Sequence, residues 1–257
     1  MKETKWLNRL LPTSVLLGLL LIWELGVRLS GIPLYILPAP TKILRAFCAE
    51  LPLLLRHSSI TLSETILGLT LAIILAMSIA ILMDAYPPVR KAIYPLLVVT
   101  QTVPVIVLAP IFIIYLGFGM APKILIVVLM CFFPITIPFA DAMGAQDIRR
   151  IHLLSSMGAP KRKVYTLVKI PGALPAFFSG LKVSATYSIS GAVVSEWLSS
   201  SAGLGYYMLR VKNGYMLDKV FASVLMVVLL SLLMNGAVKL LSRLILKPPA
   251  HTRRSSS

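Results

Sequence analysis

This sequence is short of charge, and above all of acid. Of 257 residues only 13% are charged, and Asp and Glu number 9 against 25 Lys and Arg. Soluble domains carry about 25% charged residues. With 58% hydrophobic residues, the shortfall excludes a disordered chain and an ordinary soluble enzyme. Cysteine is scarce too. Cys48 and Cys131 are the only 2, which excludes a disulfide-stapled fold, and one is expected in a loop and the other inside a membrane span. The 3 histidines, His57, His152 and His251, lie in separate regions. No HExxH, paired-Cys or GxSxG pattern is present, and no GxxxxGK[ST] loop, so metal-protease, hydrolase and Walker-type ATP sites have no carrier. The pairs Gly117/Gly119 and Gly203/Gly205 need only turn geometry to explain them.

What remains is a series of long apolar runs. Runs of about 20 residues span a bilayer as helices, and six are read here: about 10–27, 60–83, 93–116, 123–140, 173–195 and 220–241. The fold class expected is an all-α integral membrane protein. The first run follows Lys2, Lys5 and Arg9 like a signal peptide, but it is long and no small-x-small cleavage site follows, so it is read as a retained span. Glu24 and Arg28 at its end are four apart and expected to pair or to reach the interface. Residues 41–55 read as an amphipathic helix on the membrane surface. The expected organisation is an N-terminal unit at 1–57, a core at 58–241 with a polar segment at 141–171, and a basic tail at 242–257.

The net charge of +16 suggests nucleic acid in a soluble protein. Here the basic residues flank apolar runs, so they are assigned to topology and anionic lipid, and no nucleic-acid partner is expected. With the N-terminus inside, sixteen Lys and Arg fall in inner segments and eight in outer ones, with Lys182 inside span five. That places both termini and the 141–171 segment in the cytoplasm. This segment, DAMGAQDIRRIHLLSSMGAPKRKVYTLVKIP, reads as two short helices broken at Gly158-Ala159-Pro160. It is either a plain hairpin or a knob that docks into a groove on a soluble partner.

Polar residues inside spans are costly and informative. In span five Ser184, Tyr187, Ser188, Gly191 and Ser195 share one helical face. Two readings stand: close helix packing through small residues, or a pathway wall offering hydrogen bonds to a polar solute. Gln101 and Thr102, just before Pro104, are open to the same two readings. Glu64 and Glu196 near the outer interface are expected to be solvated or paired with lysine. A secondary transporter would need mid-span carboxylates and often shows inverted repeats. An intramembrane enzyme would need a nucleophile–base pair. Neither pattern is seen.

The polar segment carries a resemblance. In permease subunits of bacterial ATP-binding-cassette importers a cytoplasmic loop has the pattern EAA-x3-G-x9-I-x-L-P. Here Gly158 takes the glycine position and Val168, Lys169, Ile170 and Pro171 the closing one, while His152, Leu153 and Leu154 replace the opening triplet. The chain resembles that family, of the type I fold, over about residues 35–240. LPAPTKIL, HSSITLSETILGLTLAI, PIFIIYLGFG, CFFPI, LPAFFSGLK and the GLGY turn after VVSEW are similar to its nitrate/sulfonate/taurine branch. MDAYPPVRKAIYPLLVVTQTVP and FSGLKVSATYSISGAVVSEWL look most like permeases for thiamine-pyrimidine precursors such as hydroxymethylpyrimidine.

The resemblance implies a permease that binds no cofactor itself. It implies a cytoplasmic ATPase dimer carrying ATP-Mg, an extracytoplasmic substrate-binding protein, and a second permease copy, as a homodimer in the bilayer. It assigns ATPase coupling to His152, Leu153, Leu154, Gly158, Ala159, Pro160 and Pro171. With it, the reading of Gln101, Thr102, Ser184, Tyr187, Ser188, Gly191 and Ser195 as lining the translocation pathway stands level with close helix packing.

Overall fold

A computed structural model describes residues 3–246, with side chains described from residue 11 on except at Ser199. Lys2, His251 and most of the basic tail lie outside the described residues. Within them the chain is helical and contains no strand. The helices are α1 (Glu3–Ser30), α2 (Pro40–Ala49), α3 (Leu51–Ala85), α4 (Pro87–Thr100), α5 (Val105–Leu116), α6 (Met120–Gly144), α7 (Ile148–Ser156), α8 (Lys161–Val164), α9 (Ile170–Ser199), α10 (Leu204–Asn213) and α11 (Leu217–Ile245). A π-helical turn, Tyr165–Lys169, joins α8 to α9.

Five helical stretches are long and apolar enough to cross a membrane, and a sixth crossing exists if α4 and α5 count as one. The expected continuous third span is instead broken, with α4 and α5 bent by 103°. Pro104 lacks an N–H and disfavours helix in the residue before it, so the chain leaves α4 at Gln101 and restarts at Val105. Pro134 and Pro138 do not break α6. That helix is packed between α3 and α9, where neighbouring protein supports the freed carbonyls. The surface helix read over 41–55 ends early, at Ala49, and Pro52 opens the first turn of α3.

The centre is a layer of α3, α6 and α9. On α3 the small residues Gly68, Ala72, Ala76 and Ala80 recur every fourth position, and all are buried. A Cβ on Gly68 would stand 2.6 Å from the Val127 side chain. On α9 a Cβ on Gly180 would run into the Pro134 carbonyl oxygen of α6. Close backbone approach of this kind is how helices associate where lipid removes the hydrophobic driving force. Ile135, Phe139, Met143, Phe178 and Ala185 fill the core between them. A second cluster, including Leu54, Ile189, Leu204, Tyr207 and Met226, joins the far ends of α3 and α9 to α10 and α11. Glu50, between α2 and α3, accepts a hydrogen bond from Lys219 of α11, which holds its carboxyl below the ordinary value.

Charged residues mark two levels. Asp84, Arg90, Asp141 and Lys169 pair at the end that carries α7 and α8. Glu64 and Lys123 pair at the opposite end. On α3 the two levels are twenty residues apart, or about 30 Å at 1.5 Å per residue, the thickness of a bilayer's hydrocarbon core.

Candidate functional site: a protruding hairpin, a cleft and an open polar strip

The hairpin begins at Asp147, whose side chain accepts a hydrogen bond from the Arg149 N–H at 2.9 Å and caps α7. It turns at Gly158, with φ of +75°. There the Ala159 N–H reaches the Leu154 carbonyl at 3.0 Å and the Gly158 N–H reaches Ser155 at 3.0 Å. This is the Schellman closure, and it requires a left-handed residue that glycine adopts without penalty. Pro160 then starts α8 from extended backbone. From Lys161 the chain runs through α8 and the π turn into α9 as one rod, with Pro171 in the first turn of α9. The second short helix expected from sequence is therefore the root of a span.

No residue of α7 is buried. Ile148, Leu153 and the capping Met157 are all more than 60% exposed, large apolar side chains that no other described residue covers. His152, Gly158 and Pro160 are exposed beside them, and Leu154 and Ala159 are half-buried. The hairpin is tied to the spans at its base. Asp84 at the end of α3 accepts from the Tyr165 hydroxyl at 2.7 Å and from Lys169 Nζ at 2.6 Å. Asp141 at the end of α6 accepts from Arg90 at 2.7 Å and from the Tyr94 hydroxyl at 3.1 Å. These charged hydrogen bonds, the stronger class, tie the root of the rod to α3 and tie α6, just before α7 leaves it, to α4.

A cleft of about 520 Å³ opens where α4 and α5 break. Gln101, Pro104, Ile106, Met130, Phe133 and Tyr187 line it. Two of the sequence-predicted pathway residues, Gln101 and Tyr187, meet there. Thr102 is exposed at the break, with its hydroxyl donating to the Val99 carbonyl at 2.7 Å.

The remaining four, Ser184, Ser188, Gly191 and Ser195, lie on the packed side of α9 within this chain. Ser184, Ser188 and Ser195 have no exposed surface. The Ser184 hydroxyl donates to the Cys131 carbonyl of α6 at 2.8 Å, and Ser188 and Ser195 donate to carbonyls three residues back. A Cβ on Gly191 would stand 2.9 Å from Met130 Sδ. These residues pack α9 into its neighbours, because hydroxyls and glycine let helices come close while satisfying themselves locally. The open side of α9 is another strip, Ser179, Lys182, Val183, Thr186, Tyr187 and Ser190, all exposed. Asn235 of α11 donates to the Thr186 hydroxyl at 2.8 Å. The sequence offered one sign of it, a lysine inside a span.

The far ends of α3, α6 and α9 converge on a buried polar cluster. Lys123 Nζ lies 2.7 Å from Glu64 Oε1 and 2.9 Å from the Ser200 hydroxyl. Glu196 accepts from the Thr61 hydroxyl at 2.7 Å and from the Gly205 N–H at 2.5 Å. The Leu204 N–H donates to Thr61 at 2.9 Å. Glu64 is thus lysine-paired, whereas Glu196 is neither solvated nor lysine-paired but held by hydroxyl and backbone donors. At Gly203 and Gly205 a Cβ would collide with the Glu196 side chain, so the glycine pair is fitted around a carboxylate.

Residues 68–247 match the family described as "Binding-protein-dependent transport system inner membrane component". The chain is 37% identical to the formylaminopyrimidine transport permease protein ThiX of Halalkalibacterium halodurans, over 91% of this chain and 94% of that protein. It is 30% identical to the riboflavin transport system permease protein RibX of Chloroflexus aurantiacus, over 96% and 92%. It is 29% identical to the putative aliphatic sulfonates transport permease protein SsuC of Bacillus subtilis, over 96% and 89%. Among solved structures, a chain of an amino acid ABC transporter with histidines shares the fold, with a TM-score of 0.59 at 16% identity over 77% of this chain and 94% of that one.

Proposed function

The chain belongs to the family of binding-protein-dependent transport system inner membrane components, and from that membership we propose that it passes a thiamine-pyrimidine precursor through the membrane. It is the permease subunit of an ABC importer, a multi-pass inner-membrane component whose ATP hydrolysis takes place on a separate subunit. Its family works with an ATPase and a substrate-binding protein. The observation that carries the solute reading is the similarity to the formylaminopyrimidine permease, at 37% over nearly the whole of both chains. A cleft with Tyr187, Phe133 and Gln101 on its wall suits a flat heteroaromatic ring with hydrogen-bonding substituents.

The coupling role falls to α7 and its turn: His152, Leu153, Leu154, Gly158, Ala159 and Pro160, with Pro171 at the root of the rod. The support is the uncovered apolar surface of α7 and the charged ties at the two roots of the hairpin, Asp84 with Lys169 and Asp141 with Arg90. The hairpin faces the cytoplasm in this reading, and both termini do so too. ATP-Mg on the paired ATPases draws the hairpins together, and the ties at Asp84 and Asp141 carry that motion to the spans. The element biased is a pair of permease copies that opens to one side or the other.

The test is uptake in cells that carry this chain with its ATPase and binding protein. Labelled formylaminopyrimidine is expected to accumulate, in competition with hydroxymethylpyrimidine and not with taurine. Accumulation of taurine alone would assign the permease to a sulfonate, the second reading that the aliphatic-sulfonate relative supports.

A further inference from the structure

Lys182 lies thirteen residues after Lys169 and fourteen before Glu196 along α9. The two intervals are nearly equal, so Lys182 sits near the middle of the stretch between the two charged ends of this rod. A lysine at that depth costs several kcal/mol if it faces hydrocarbon, and among the described residues it makes no ion pair. It is exposed, as are its neighbours on the strip, Ser179, Thr186, Tyr187 and Ser190. Four hydroxyls and an ammonium in one exposed line do not face lipid. Tyr187 alone of the strip reaches the cleft, where Gln101 also stands.

A dry contact with a second copy is also disfavoured. Two identical copies meet about a two-fold axis, and a seam through this strip would set one Lys182 against the other. Like charges so placed need water or an anion between them. From this we infer that the open strip of α9 lines a water-filled path, and that Lys182 is the residue in it that meets the solute, taking an electron-rich oxygen acceptor such as a formyl, hydroxyl or sulfonate oxygen. The inference rests on the permease reading but not on which solute is carried. A cationic solute without such an oxygen is disfavoured by the same charge.

The first experiment needs no solute. Cys48→Ser and Cys131→Ala remove the native thiols, and Lys182→Cys is treated in membrane vesicles with a charged, membrane-impermeant methanethiosulfonate. Labelling about tenfold faster or more than at Leu19→Cys is expected, since Leu19 is 60% exposed on the peripheral helix α1. That contrast is the one between water and hydrocarbon around a charged reagent. Equal, slow labelling at both positions would overturn the inference. The second experiment is uptake by the assembled transporter. Lys182→Gln is expected to raise KM about ten- to a hundredfold, the size of one hydrogen bond to a charged group. Lys182→Arg restores it, and both variants assemble at the wild-type yield of complex. A Lys182→Gln transporter with the wild-type KM would remove Lys182 from solute contact. A wild-type complex that takes up neither pyrimidine nor taurine would instead unseat the solute reading, and the labelling result would still stand for or against the path.

Discussion

At the scale of the residue, Lys123 is the single ammonium in a buried cluster that holds the carboxylates of Glu64 and Glu196. The Glu196 carboxyl lies beside Glu64, so Lys123 is the one cation that offsets the acid pair. Lys123→Met is expected to cost about 3–5 kcal/mol, the penalty for stranding a buried charge. It would appear as a lower midpoint of thermal unfolding in detergent. Adding Glu64→Gln should recover much of the loss, because the stranded charge is then gone. An unchanged midpoint in Lys123→Met would mean that the pair does not hold the far ends of the helices. Ser188 makes the contrasting case. It has no exposed surface, so Ser188→Leu overpacks a helix contact at about 1–3 kcal/mol and is expected to lower the yield of assembled complex. Ser188→Ala should transport like the wild type. Uptake lost in Ser188→Ala at normal yield would return that hydroxyl to the pathway.

At the scale of the element, the hairpin joins a fixed turn to an uncovered helix. Gly158 sits at φ +75° with open space where a Cβ would stand. A substitution there strains only the backbone, by about 1–2 kcal/mol, and the rod from Lys161 onward is untouched. Gly158→Arg is therefore expected to insert and pack normally while losing the ATPase on co-purification, since the turn that aims α7 is altered. Normal co-purification and uptake in that variant would free the hairpin of any coupling role. The position of this hairpin was legible because Gly, Ala and Pro in succession cannot continue a helix. The open strip of α9 was not legible. Hydroxyls lie on both sides of that helix, at Ser184 and Ser188 and again at Thr186 and Ser190, and periodicity finds a polar face without saying which one α6 will cover. Lys182 could have decided it, since a charge does not go into a close helix contact without a partner. The third span misled for a related reason. Prolines 95, 104 and 110 look alike in sequence, and only at Pro104 does the chain turn through 103°. The prolines of α6 are held straight by helices on both sides, which no local pattern announces.

At the scale of the whole molecule, the two charged levels and the open strip bear on how many copies assemble. A lone copy in a bilayer would leave Lys182, Thr186, Tyr187, Ser190 and Gln101 against lipid at the middle of the membrane, at a cost that grows with each polar group. Two copies that set their strips toward a common axis enclose these groups in a shared aqueous path, and both α7 hairpins then project from the same end. That end carries Arg149, Arg150, Lys161, Arg162 and Lys163, the bias expected of a cytoplasmic side. The arrangement predicts a complex with two copies of this chain and two ATPase subunits. The measurement is the mass of the complex extracted in mild detergent, with the permease tagged in two colours to show whether like copies pair. Both colours in one complex, with ATPase at equal stoichiometry, are the expected result. A complex holding one copy of this chain beside a different permease would keep the path but break its symmetry. Lys182 would then face an unlike residue, and the like-charge argument for water between the copies would no longer apply.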